Sequence, residues 1–382
     1  ETSSFGESND TVINEGTIAA DVPGRELRVQ AASFTNNGTL RAASGTLTVS
    51  GLTGNLGSLT IGGPGSVANL NGTNWVNNLG VTVPAGTTVD FDGSWSNTGG
   101  ITTAGEFYLD GSFTTAGIGL LTKTGGNVYI SGTLNNAGTE LRLNATTGSW
   151  TLAGGTIVGG TITGSDGATL SLESGRLDRV TLALNTEFKA GTLYVNNGLT
   201  LAGDVTLTVG PAAGTAGNAT LYFEGTQTLG GIGTVAMRRN PFGYSGIVRQ
   251  NQTGTTLTIG DGITVRGETS SFGESNDTVI NEGTIVADVP GRELRVQAAS
   301  FTNRGTLRAA SGTLTVNGLA PNAGLIHAAL NSTITINGNF NNTATGTLQI
   351  DIAGPNAADR GRINITGSAT LAGTFRANFV NG

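Results

Sequence analysis

Cysteine is absent from this chain, which removes disulfides, thiolate metal sites and cysteine nucleophiles together. That absence fixes no compartment, although it suits a long secreted chain that must not cross-link on its way out. Histidine occurs once, at His327, so a metal centre or catalytic triad built on imidazole would need partners that no motif supplies. Lysine occurs only at Lys123 and Lys189, and even with the arginines the formal charge is −7, an acidic balance that repels nucleic acid backbones. Proline is scarce and the glycines follow no three-residue period, which excludes collagen. No apolar run approaches the roughly 18 residues of a membrane helix. Neither a Gly-rich phosphate loop nor the calcium-binding nonapeptide GGxGxDxUx is present. The one methionine is Met237, and no charged-then-apolar leader stands at the start, so any secretion signal is expected outside these residues.

What is present is repetition. Residues 1–52 return as residues 268–319, and the two copies differ only at Ala19/Val286, Asn37/Arg304 and Ser50/Asn317. A near-copy of this length points to a protein built of large units, and residue 1 is expected to stand at a repeat junction. We divide the chain into one unit of coils at 1–267, the start of a second at 268–319, and divergent terminal coils at 320–382. One continuous rod is expected.

A smaller period runs inside the large one. In residues 45–61, GTLTVSGLTGNLGSLTI, apolar and polar residues alternate and glycine breaks the alternation, a strand–corner–strand pattern. An NxGx(I/L) element appears at Asn14, Asn36, Asn55, Asn77 and Asn97, and more loosely at Asn135, Asn196, Asn281, Asn303 and Asn322. The early steps of 22, 19, 22 and 20 residues set a coil of about 20. The fold class expected is all-β, a parallel β-helix with two or three short strands per turn. At about 4.8 Å per coil, roughly nineteen coils would make a rod of about 90 Å. Polar–glycine pairs at 50–51, 71–72, 92–93, 110–111 and 131–132, each followed by a large apolar residue (Leu52, Trp75, Trp95, Phe113, Leu134), predict corners with positive φ and an internal stack. Ile157, Ile162, Leu170, Leu172 and Leu177 keep the alternation where the asparagines stop. Residues 320–330 read as a short helix or another coil.

Residues 27–59, LRVQAASFTNNGTLRAASGTLTVSGLTGNLGSL, resemble the tandem coils of filamentous haemagglutinin-like adhesins. The segments GTLQIDIAG and RINITGSATLAGTF near the end are similar to the passenger ends of autotransporters. The resemblance implies a right-handed parallel β-helix, secretion, and a role in adhesion or in an extracellular layer or fibre.

Three groups of side chains are candidates for chemistry or contact. Asp90, Asp92 and Asp110 fall on one face of successive coils, where carboxylates can share a proton, hold Ca2+ or cleave polysaccharide; Asn71 and Ser131 at equivalent corners favour a turn-forming role. The asparagine ruler reads as an internal amide ladder in which Asn14, Asn36, Asn55, Asn77, Asn97, Asn135, Asn281 and Asn303 bond the backbone of adjacent coils. Two stretches break the rhythm, a loop at 211–218 and the segment 237–252. The second carries Arg238, Arg239, Phe242, Tyr244 and Arg249 as a contact loop for glycans or a neighbouring molecule, or else as a long corner. Glu106 and Glu173 read as exposed acids. No catalytic residues and no required cofactor are expected. The partners expected are other copies, end to end or laterally, since open coil ends are unpaired strands.

Overall fold

Alternation with period two places one side of each strand inward, and glycine corners turn the chain back under itself, so strand must pair with strand one coil on. The structure, a computed structural model, describes residues 2–268 and 270–380 and follows that logic. Glu1 and Thr269, at the heads of the two copies, lie outside the described residues. It is an all-β parallel solenoid of about 17 turns, 62% strand and 2% helix. Two compact units divide it, residues 1–171 and 172–382.

In the first unit a typical coil consists of Glu26–Val29, Ser33–Asn36 and Thr39–Ala42, each pairing in parallel with its counterpart about 20 residues on. The inward file Val29, Val49, Leu70, Phe91, Leu109, Ile130 and Leu152 rises one residue per coil, and all seven are fully buried. Burial of each such side chain stabilises by about 1.5–3 kcal/mol. A second file carries the predicted corner residues: Leu52, Trp75, Trp95, Phe113 and Leu134 are buried, with Trp95 stacked on Phe113 at 4.8 Å. Trp75 and Trp95 donate their indole N–H groups to the carbonyls of Asp92 and Asp110, so neither polar edge is stranded.

The corner glycines serve a purpose that φ alone does not explain. Gly51, Gly93 and Gly111 have positive φ, but Gly72 does not. Every one of them lies where a Cβ would strike a backbone atom of the previous coil, at 2.0 Å from Leu52 O for Gly72 and 1.9 Å from Gly72 O for Gly93. Close approach of backbones is the common requirement. The coil containing Gly72 has one extra residue, absorbed as a bulge at Asn74, which takes the positive φ itself.

The second unit stacks Leu193, Leu221, Val248, Phe272, Val296, Val316 and Ile336 in the same manner. Its early coils are longer than predicted: Leu193 pairs with Leu221, 28 residues on, because the loop at 211–218 is inserted in that coil. These long coils are why about 17 turns form rather than nineteen. Residues 320–330 are another coil and not a helix, with strand Leu325–Ala328 pairing on Thr306–Ala309.

Candidate functional site

Asp90 faces outward beside Tyr108 of the next coil, and Tyr108 stacks on Tyr129 at 4.7 Å. Its neighbours Asp92 and Asp110 sit at the corners. Asp92 accepts the Gly93 N–H at 2.5 Å and the side-chain amide of Asn71, while Asp110 accepts the Gly111 N–H at 2.7 Å. Both therefore act as turn formers. Asp90 lacks such a donor, and its Oδ1 is buried without a partner. Burial, then the charges of Asp110 and Asp92, push its carboxyl up to about 7. Among the described residues no group of three or more His, Cys, Asp or Glu is arranged to hold a metal ion. Asp92 and Asp110 each spend an oxygen on a corner N–H.

The asparagine ladder is real but shorter and differently registered than the ruler implies. Asn14 donates to Asn36 Oδ1 at 2.7 Å, and Asn36 to the carbonyl of Leu56 at 2.6 Å. Asn77 donates to Asn97 at 2.8 Å, and Asn97 to the carbonyl of Ile118. In the second unit Asn281, Asn303, Asn322 and Asn342 form one chain with links of 2.9, 2.7 and 2.7 Å. Asn55 is a correction: it is exposed, and Leu56 occupies the inward position in its coil. Asn135 is another. It lines a surface depression of about 320 Å3 with Asn74, Ser94, Ser112 and Thr114, while its neighbour Asn136 is buried and donates to the carbonyl of Thr161. A one-residue slip reverses the face of a strand residue, which is how both assignments failed. Asn196 points outward.

The segment 237–252 divides into a short excursion and a core-forming strand. Residues 238–245 fold back on themselves, and buried Asn240 organises them: its amide donates to Thr215 O at 2.7 Å and its Oδ1 accepts the N–H groups of Phe242 and Tyr244. The loop at 211–218 is thus clamped to this one. Phe242 is 73% exposed and Tyr244 38%, and Arg239 is also exposed, holding Gly243 O at 3.1 Å. Arg238 is corrected: it is tied to Gly210 O at 2.8 Å and to Glu187 at 3.3 Å. Arg249 is corrected too, for it lies on strand Gly246–Gln250, not on the loop.

Arg249 instead ends an outward file that the sequence reading missed. Arg176, Tyr194, Tyr222 and Arg249 occupy paired positions on four successive strands. The tyrosines stack at 5.5 Å, with Arg176 over Tyr194 at 5.3 Å and Arg249 over Tyr222 at 4.6 Å. Beside them Glu224 receives Arg176, Asn196 and Asn251. Burial opposes its charge, but these hydrogen bonds outweigh it and hold the carboxyl below its usual value. Coil steps of 18, 28 and 27 residues hid this file from a 20-residue ruler.

His327 pairs with Asp351 at 3.1 Å, one coil on, and Gln349 meets the same ring nitrogen at 3.3 Å. Burial works against the Asp351 charge, yet the bonds from Asn378 and His327 hold its carboxyl below the ordinary range. Glu106 accepts Asn127 and Glu173 is exposed. No described helix is long and apolar enough to cross a membrane. Compared with protein families, with curated proteins and with solved structures, the chain finds no match.

Proposed function

We propose that the chain is a stiff structural module of an extracellular surface protein, serving adhesion or a fibre, and that it performs no catalysis. The observation that supports this most is the use made of its polar side chains. The buried asparagines, Asp92 through Asn71, Asn240 and the Arg176–Arg249 file hold coil to coil or loop to loop, and Asp110 is spent on its own corner. A stack of rungs with a filled interior delivers length and rigidity. The likeness of residues 27–59 to filamentous haemagglutinin-like coils, and of the final coils to autotransporter passengers, points to the cell surface of a bacterium and to secretion. Electron microscopy of the purified protein tests the reading: straight rods or filaments are expected, and compact globules would refute it.

A second reading, glycan binding or cleavage, draws on Asp90. A carboxyl that titrates near neutrality beside ionised carboxylates and a tyrosine stack has the makings of a general acid and a sugar platform. Incubation with a panel of polysaccharides decides between the two. New reducing ends that vanish in Asp90→Asn would favour the enzyme, and no cleavage with any of them leaves the structural reading.

A further inference from the structure

Asparagine followed two residues later by threonine occurs ten times in this chain, never with proline between, and asparagine followed by serine at that spacing does not occur. The triplet is the acceptor signal for N-linked sugars. In a fold that spends asparagine on its interior, what matters is which amides carry the signal. Ten asparagines are buried, among them Asn14, Asn36, Asn77, Asn281, Asn303 and Asn342, and none of the ten has threonine at the second position after it. Two doublets show the separation. Asn36 is buried, donates to the Leu56 carbonyl and stands two residues before Gly38, whereas Asn37 is exposed and stands two before Thr39. Asn342 is buried in the ladder and stands two before Ala344, whereas Asn341 is exposed and stands two before Thr343.

All the triplets except those at Asn9 and Asn364 lie in coils with a paired coil on either side, so an open end does not account for their exposure. Of these eight asparagines, seven are exposed and Asn144 is half-buried, and none of the eight threonines is buried. In two of them a carboxylate holds the amide nitrogen: Asn71 donates to Asp92, and Asn251 to Glu224 at 3.0 Å. In the other six the nitrogen has no partner among the described residues. Asn37, Asn276, Asn331 and Asn341 make no side-chain hydrogen bond, and Asn144 and Asn218 use only Oδ1, which accepts the Thr146 N–H at 2.8 Å and the Ser245 N–H at 2.9 Å.

We propose that Asn37, Asn144, Asn218, Asn276, Asn331 and Asn341 are acceptors for N-linked sugar, transferred from a nucleotide- or lipid-linked sugar phosphate by an enzyme that reads Asn-Xaa-Thr. The amide nitrogen forms a bond to the anomeric carbon, the bond from that carbon to the phosphate oxygen breaks and its electron pair leaves on the phosphate, and the amide proton passes to a base of the transferase. An attached sugar has room only on an outward amide, and the interior amides, which hold coil to coil, lack the signal. The inference rests on the extracellular reading for the compartment in which such transfer takes place, and on nothing else in it.

The test has two arms, both read by peptide mass spectrometry. Protein recovered from the cells that make it should carry sugar on the six asparagines. The purified, folded chain, incubated with a nucleotide-linked hexose and a soluble transferase specific for Asn-Xaa-Thr, should gain one hexose at each of them. Occupancy at Asn71 and Asn251 should be lower by about tenfold, since a charge-assisted hydrogen bond must break first. Thr39→Ala, which keeps the amide and removes the signal, should leave Asn37 bare. Asn37→Arg is the control for folding, because the second copy carries Arg304 at that place, paired with Glu282 at 3.2 Å. A folded chain that accepts no hexose, or sugar retained at Asn37 in Thr39→Ala, overturns the proposal. Bare asparagines in protein taken from the cell surface overturn it too and leave the surface reading standing, whereas bare protein found only inside the cell removes both.

Discussion

Asn281 donates its side-chain amide to Oδ1 of Asn303 one coil away, at 2.9 Å, and Asn303 passes the same bond on to Asn322 at 2.7 Å. All three are fully buried. Each bond leaves the next amide free to donate, so the chain is directional, and its first acceptor, Asn281 Oδ1, has no partner because Ile259 occupies the position one coil before. Truncating a middle member strands a buried acceptor on one side and loosens a donor on the other. Asn303→Ala should therefore cost about 2–4 kcal/mol, read as the denaturant midpoint of the second unit. Asn55 carries the same sequence signature but is exposed, and Asn55→Ala should stay within about 0.5 kcal/mol. Equal costs at the two sites would remove the ladder from the list of stabilising features.

Gly72 tests whether the corner glycines answer to φ or to crowding. Its φ is one that any residue adopts, yet its Cβ would sit 2.0 Å from Leu52 O. Gly72→Ala is expected to cost about 2–4 kcal/mol, because two backbones must part. At Gly63, where nothing lies within 4 Å, the same change should be close to neutral. Thermal unfolding of the two variants side by side checks this, and comparable melting temperatures would argue that the coils tolerate separation.

The repeat and the alternation made the fold legible, since a coil of fixed length forces strand onto strand. Interior files such as Trp75, Trp95 and Phe113 could be named because glycine corners mark their register. Facing was lost wherever a single residue was added or dropped: Asn135 and Asn136 differ by one position and by a whole side of the strand. Long-range pairing was lost where loops lengthened the coil, so Tyr194 and Tyr222 became neighbours without any regular spacing to announce it. Arg249 looked like part of a basic loop, although alternation from Gly246 to Gln250 places Val248 inward and Arg249 outward on a strand.

Glu224 and Arg176 set an acid limit in the second unit. Because the folded carboxyl is held below its ordinary value of 4.5, it binds its proton less readily than in the unfolded chain. Its contribution is complete above that value and is lost as pH falls through the lowered one. Arg176→Met should flatten the fall in stability as pH drops below the ordinary carboxyl value of 4.5. Hydrogen exchange along Ala219–Glu224 provides the local reading, and an unchanged acid profile in the variant would show that the ion pair contributes nothing.

Asp90 works in the opposite sense in the first unit. Its carboxyl is raised from 3.8 to about 7 by burial and by the charges of Asp110 and Asp92, so the folded state holds the proton more tightly than the unfolded one. The stabilising contribution is present in full below 3.8 and is lost as pH rises through 7, after which a charged carboxylate with a buried, unpartnered Oδ1 remains. Asp90→Asn cannot ionise. Its stability should match the parent near about pH 4 and exceed it above about pH 8 by on the order of 1–2 kcal/mol, a figure already reduced for partial solvent screening. Denaturant midpoints at both pH values, with the carboxyl titration followed by NMR, measure the effect directly. If the two proteins keep a constant difference across the range, the proton is not held at Asp90, and the general-acid reading of this face loses its chemical basis along with the pH dependence.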